Sequence, residues 1–145
     1  QSLRLGLAQP NRNISLPSLL PGQSGTNSMK RMLAAFYNSI AAWKTLIRSE
    51  RAFQEETVAL AIGVPLAFVI SPDPLIRFIL IGAIIFVMIV EVLNTGIEAA
   101  CNALSREFHA DIKIAKDCGS LAVLMSILLA GSVWALAVWS WWITP

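Results

Sequence analysis

From Met29 onward the apolar residues follow two patterns. Between Met29 and Ser49 they recur at three- and four-residue steps: Met29, Met32, Leu33, Phe36, Ile40, Trp43 and Ile47. Lys30, Arg31, Asn38, Lys44 and Arg48 occupy the other faces. This spacing predicts an amphipathic helix of about five to six turns. The periodicity then gives way to three apolar runs, Val58 to Ile70, Leu75 to Val90 and Leu121 to Trp142. A membrane-spanning helix needs about 20 residues, and a first span entered from Phe53 reaches that length. The expected elements are a surface helix over about 29–49 and spans over about 53–70, 75–103 and 118–142. Ser71-Pro72-Asp73-Pro74 separates the first two spans, as a paired-proline breaker would. Pro65 interrupts the first span and costs it one helix hydrogen bond, which membrane helices tolerate. The fold class is an all-α membrane protein with an amphipathic surface helix and three transmembrane helices.

Residues Gln1 to Ser28 differ from the rest. They carry Pro10, Pro17, Pro21, Gly22 and Gly25 among many Asn, Ser and Gln, and such a mixture does not build a packed core. The segment has no continuous apolar stretch of the targeting type. Its Gly22-Gln-Ser-Gly25 run lacks the Gly-Lys-Ser/Thr ending of a phosphate loop. Residues 1–28 are expected to be a disordered tail or a stretch foreign to the natural protein, and residues 29–145 to form the membrane domain.

Composition agrees with this division. Of 145 residues, 56% are hydrophobic and 14% charged, with net charge +2. A soluble domain carries about 25% charged residues. The low and uneven charge excludes an ordinary soluble enzyme, a disordered chain and a nucleic-acid binder. Two cysteines, Cys101 and Cys118, and one histidine, His109, supply neither a disulfide scaffold nor a zinc motif. The basic residues instead give a direction. Lys30, Arg31, Lys44, Arg48 and Arg51 precede the first span, and Arg106, Lys113 and Lys116 lie between the second and third. The turn before the second span and the tail after Trp142 have none. The positive-inside rule then puts the amino end in the cytoplasm and the carboxyl end outside, with Trp139, Trp141 and Trp142 anchoring the outer interface.

The unusual segment is Val90-Glu-Val-Leu-Asn-Thr-Gly-Ile-Glu98. At 1.5 Å per residue, Glu91 lies roughly 24 Å along the helix from Leu75, and Glu98 about 10 Å further. That places Glu91 near the inner edge of a hydrocarbon core about 30 Å thick. At 100° per residue, Asn94, Glu98 and Asn102 fall within about 60° of Glu91. The four form one polar stripe, with Thr95 beside it. An acidic residue at mid-membrane costs about 2.5–3.5 kcal/mol, less near the interface. A helix emerging into water can carry two glutamates without further purpose. Two glutamates and two asparagines on one face favour a site. A second acidic cluster, Glu50, Glu55 and Glu56, falls on the same side of the membrane. Facing carboxylates repel unless a cation stands between them. Magnesium suits this, because it takes one or two carboxylates and completes its shell with phosphate oxygens and water. With Lys113, Lys116, Asp117 and Arg31 nearby in the topology, the set suits metal-assisted phosphoryl transfer to a lipid.

Three segments carry a resemblance: Glu50-Arg-Ala-Phe-Gln-Glu-Glu56, Val87-Met-Ile-Val-Glu-Val-Leu-Asn-Thr-Gly-Ile-Glu98 and Ala115-Lys-Asp-Cys-Gly-Ser120. Together they resemble the prokaryotic diacylglycerol kinase family, from Met29 to the end. The resemblance implies a homotrimer of three-span subunits with sites between subunits, in the bacterial cytoplasmic (inner) membrane. It implies transfer of the γ-phosphate of ATP, with Mg2+, to diacylglycerol, giving phosphatidic acid. By position it implies Glu91 as general base and Glu50 and Glu98 as metal ligands. It implies nucleotide contacts at Arg31, Asn38, Glu50, Glu98, Glu107, His109, Lys116 and Asp117. Lipid contacts fall to Arg31, Phe53, Glu56 and Glu91, and further polar active-site positions to Asn94 and Asn102. The chain departs from the family at Asn102, where Asp is common, at Asn38, where Tyr is frequent, and at Phe53-Gln-Glu-Glu56, where Phe-Arg-Gln-Glu is usual. A related branch phosphorylates undecaprenol, and the first acidic motif here looks nearer to the diacylglycerol branch.

Two other readings compete. Membrane carboxylates often mark ion paths, but a small transporter needs polar groups spread across the bilayer. Here Gly82 to Val90 and most of the third span are apolar. A bare structural anchor leaves the polar stripe unexplained. Gly63, Gly82, Gly96, Gly119 and Gly131 are expected to permit close helix approach, and Ala59-x-x-x-Gly63 and Gly131-x-x-x-Ala135 suit helix packing. The topology has a direct check. A reporter enzyme fused after Pro145 that works only outside the cytoplasm should be active, and a cytoplasmic signal there would contradict three spans.

Overall fold

In the computed structural model, the backbone is described for residues 24–105 and 109–143, and side chains from Ser28 onward, residues 106–108 excepted. The chain divides into two units, Gln1–Asn38 and Ser39–Pro145. All regular structure among the described residues is helical: α1 Ser24–Ser49, α2 Arg51–Ile70, α3 Pro74–Leu104 and α4 Ala110–Ile143. α1 therefore begins at Ser24, ahead of the expected Met29. No proline follows Pro21 until Pro65, and Ser, Thr, Asn and Gly are tolerated in a first turn. The rest of the expected tail, residues 1–23, lies outside the described residues.

In the first unit, α1 exposes its side chains from Ser28 to Asn38. Met29, Met32, Leu33 and Phe36 of the apolar stripe are among them. Phe36 and Tyr37 meet edge to face at 6.2 Å.

In the second unit, the remainder of α1 packs on α2 and α3. Leu46 is buried with Phe53 and Met88, and Ile47 and Leu60 cover them. The Trp43 ring meets Phe53 edge-on at 4.9 Å. α3 packs against both α2 and α4, which scarcely touch each other. A second cluster of Ala67, Ile70 and Leu80 is covered by Ile81, Val133, Trp134 and Ala137. There the Trp134 indole Nε1 donates to the Leu80 carbonyl at 3.0 Å, which ties α4 to α3 and satisfies a donor that lipid could not. Gly63 makes room for this junction. A Cβ there would overlap Ile84 Cδ1 and come within 3.3 Å of the Trp134 ring. Gly82, Gly96 and Gly131 have no neighbour within 4 Å of a built Cβ. At these three positions the expected close approach is not made within the chain.

The turn between α2 and α3 is closed by its own polar groups. The Asp73 side chain accepts from Leu75 N at 2.8 Å and caps α3, with Pro74 at the first helical position. Ser71 Oγ accepts from Asp73 N at 3.1 Å. Arg77 Nε donates to Ser71 O at 2.7 Å, and the guanidinium lies 4.4 Å from the Phe68 ring centroid.

α2, α3 and α4 are each long and apolar enough to cross a membrane. Their 20, 31 and 34 residues are not equivalent, however. At 1.5 Å per residue α3 is about 46 Å long and α4 about 51 Å, against a hydrocarbon core about 30 Å thick. Since α3 starts tightly after α2, its excess falls at the carboxyl end, beside the amino end of α4. Large apolar side chains such as Phe78, Phe86, Leu128 and Leu136 face outward, as helices surrounded by lipid require. Trp139, Trp141 and Trp142 are also exposed at the end of α4.

The indole bond at Trp134 gives a stability prediction. Trp134→Phe keeps most of the packing and removes the donor, so it should cost about 1 kcal/mol. Unfolding in a detergent–denaturant titration checks this.

Candidate active site at the end of α3

The polar residues gather where α3 leaves the apolar layer. Glu91 is buried, at 7% exposure, although it is a carboxylate in an otherwise apolar helix. Asn94 and Glu98 are half-buried, and Asn102 is exposed. The stripe predicted by the 100° spacing is thus a real face, and it is met from both sides.

On the α2 side stands Glu56, half-buried, close enough for its charge and that of Glu91 to repel. Glu50 and Glu98 act on Glu91 in the same sense. Glu56 Oε2 is buried without a hydrogen-bond partner. Glu50, half-buried, precedes α2 and receives a long hydrogen bond of 3.4 Å from Ser49 Oγ. Glu55 is turned away and pairs with Arg51 at 2.9 Å on the exposed side of α2. Glu50, Glu56 and Glu98 thus lie within electrostatic reach of Glu91, whereas Glu55 is engaged by Arg51. No basic side chain is seen paired with any of these four among the described residues. Phe53 is fully buried beside them in the α1–α2–α3 cluster.

On the α4 side the contacts are polar and directional. Lys116 Nζ donates to Asn102 Oδ1 at 2.7 Å, which puts the lysine charge at the outer end of the stripe. Lys113 pairs with Asp117 one turn along α4. Asn94 Nδ2 donates to Glu98 Oε1 at 3.4 Å, while Asn94 Oδ1 is buried with no hydrogen-bond partner. His109 is exposed before α4. Glu107 lies outside the described residues. Arg31 and Asn38 are exposed on the first unit. Cys101 is buried and Cys118 exposed, both as free thiols.

Two apolar grooves flank the cluster. One, of about 520 Å³, lies between the end of α1, α2 and α3; Trp43, Leu46, Phe53, Met88 and Val92 line it. The other, of about 590 Å³, runs between α2, α3 and α4, with Glu55 and Glu56 at its polar end. Sequence reading did not find Leu46 or Met88, since an apolar residue among apolar residues carries no signal. Nor did it pair Lys116 with Asn102, because their register depends on how α3 and α4 pack.

Among the described residues no three His, Cys, Asp or Glu side chains converge closely enough to hold a metal ion by themselves. The donors present are carboxylate oxygens, among them an unpartnered Glu56 oxygen. Such a set fits a hard cation that takes one or two carboxylates and completes its shell elsewhere.

The chain matches the prokaryotic diacylglycerol kinase family over residues 37–138. It is 35% identical to a diacylglycerol kinase of Escherichia coli over 117 residues, 81% of this chain and 96% of that protein. A diacylglycerol kinase of Pseudomonas aeruginosa is 34% identical over 119 residues, 82% and 94% of the two chains. One of Haemophilus influenzae is 27% identical over 109 residues, 75% and 92%.

The burial of Glu91 among like charges predicts a cost in stability. Glu91→Gln removes the repelled charge and keeps the shape, so it should raise the thermal midpoint in detergent. A lower midpoint would show that the carboxylate is held by a partner.

Proposed function

Because the chain belongs to the prokaryotic diacylglycerol kinase family, we propose that it phosphorylates diacylglycerol with ATP at the cytoplasmic face of the bacterial inner membrane. The observation that carries this reading is the buried carboxylate of Glu91, at the level where an apolar groove meets the polar end of α3. A lipid with its chains along the groove would present its hydroxyl there, and a water-soluble nucleotide would approach from the Lys116 side.

In this mechanism the diacylglycerol hydroxyl oxygen attacks the γ-phosphorus of ATP. The bond from that phosphorus to the β–γ bridging oxygen breaks, and ADP leaves with the bond pair. The hydroxyl proton passes to Glu91, which acts as general base. Phosphatidic acid and ADP are the products. Glu50 and Glu98 would hold Mg2+, which when bound offsets the phosphate charge. Lys116, held by Asn102, would face the nucleotide phosphates. Arg31, Asn38, Glu107, His109 and Asp117 would complete the nucleotide contacts. Arg31, Phe53 and Glu56 would contact the lipid. Three subunits would assemble with sites at their boundaries, amino ends inside and carboxyl ends outside.

Undecaprenol phosphorylation uses the same chemistry on another alcohol. Phe53 and Glu56 in the first acidic motif favour diacylglycerol. A transporter reading is disfavoured by the span interiors. The Ser126 and Ser132 hydroxyls bond to carbonyls of their own helix and offer no continuous polar route.

Purified protein in mixed micelles with labelled ATP tests this directly. Diacylglycerol should be labelled in preference to undecaprenol. Excess chelator should abolish transfer, and added magnesium should restore it. Glu91→Gln should lower kcat by about 10²–10⁴-fold with nucleotide affinity and oligomer size nearly unchanged. Normal turnover by this variant would remove Glu91 as the base. Preferred labelling of undecaprenol would reassign the substrate.

A further inference from the structure

Gly119 on α4 occupies an unusual place. It is buried, and a Cβ built on it would overlap the Asn94 side-chain oxygen, with Asn94 Cγ at 3.3 Å and Asn94 Cα at 3.9 Å. The two helices therefore come close at this level, with the Asn94 amide seated against a glycine hydrogen. That hydrogen points at Asn94 Oδ1, which is buried and has no conventional partner. A Cα–H donates only weakly to an oxygen, but it leaves room for one where a side chain would not.

The orientation of the amide follows. Asn94 can place either its oxygen or its NH2 against Gly119. With the oxygen inward, Nδ2 faces Glu98 and donates to Oε1. With the amide reversed, two oxygens would face each other and the NH2 would be buried against a hydrogen. Only the first arrangement satisfies the donor.

We propose that Gly119 is a positioning residue: by admitting the Asn94 oxygen against α4, it aims the Asn94 amide at Glu98 and fixes the carboxylate for a divalent cation. The proposal rests on the reading of Glu98 as a metal ligand. One Glu98 oxygen is engaged by Asn94, and the other is left for the ion. Partners that orient a ligand in this way are typically worth about 10–100-fold in metal affinity.

Gly63 supplies a matched control. It too is buried against another helix, but a Cβ there would meet the far end of the Ile84 side chain and the Trp134 ring, away from the carboxylates. The probe is Mn2+, followed by electron paramagnetic resonance on the whole protein in detergent with a non-hydrolysable ATP analogue. Gly119→Ala should weaken Mn2+ binding by at least about 10-fold and raise KM for MgATP more than it lowers kcat. Gly63→Ala should alter the thermal midpoint and leave Mn2+ binding unchanged. Asn94→Ala, which opens space instead of filling it, should weaken Mn2+ binding to a similar extent. Its result decides the question if Gly119→Ala does not fold. Native Mn2+ affinity in Asn94→Ala, or an equal loss in Gly63→Ala, would overturn the proposal. A native protein that binds no Mn2+ with the analogue would instead overturn the reading of Glu98 as a ligand, and the proposal with it.

Discussion

A carboxylate buried in an apolar helix, within electrostatic reach of three others and with no cation paired to it among the described residues, sets the terms for the rest of the molecule. Such a group is unfavourable in the folded chain. It persists only if the surrounding helices hold it in place. Here α3 is clasped on one side by α2 and the end of α1, through Phe53, Leu46 and Met88. On the other side α4 is fixed by the Trp134 indole and the Leu80–Ala67 cluster. The stabilising contacts lie on the apolar side of Glu91 or beside it, and the repelling charges lie toward water. Structural cohesion and the candidate site thus occupy different levels of the same helices.

Helix length links the two levels. A three-span protein with helices cut to the bilayer would have no room for a nucleotide beside a lipid hydroxyl. α3 exceeds the hydrocarbon thickness at its carboxyl end, beside the amino end of α4, and there Asn94 meets Gly119 and Asn102 meets Lys116. The candidate site is therefore a pair of antiparallel helix ends standing on an apolar base.

Much of this was legible in the chain, for a physical reason that also marks where legibility stops. In lipid the unusual residue is the polar one, so Glu91, Asn94, Glu98 and Asn102 were visible at once, and so was the proline-bounded turn. The packed faces were not visible. Leu46 and Met88 are buried while Phe78 and Leu128 are exposed, yet all four are simply apolar in sequence. Small residues gave a partial signal. Gly63 and Gly119 do admit a neighbouring helix, whereas Gly82, Gly96 and Gly131 do not within this chain. Contacts between helices, such as Lys116 with Asn102, depend on a register that no single helix encodes. The expectations for Asn38 and His109 rested on family resemblance alone, because exposed polar residues carry no geometric signature.

The turn between α2 and α3 has a bearing on how such a chain enters a membrane. Arg77 is the one basic residue between Arg51 and Arg106, and an unsolvated guanidinium is a steep barrier to passage through hydrocarbon. Its Nε is already bound to the Ser71 carbonyl and its face covers Phe68, while Asp73 caps the helix start. The hairpin tip thus supplies partners for part of its own charge and for the start of α3. Two spans joined by such a tip form a closed unit in which the start of α3 is capped and the Arg77 charge is partly met by its own turn.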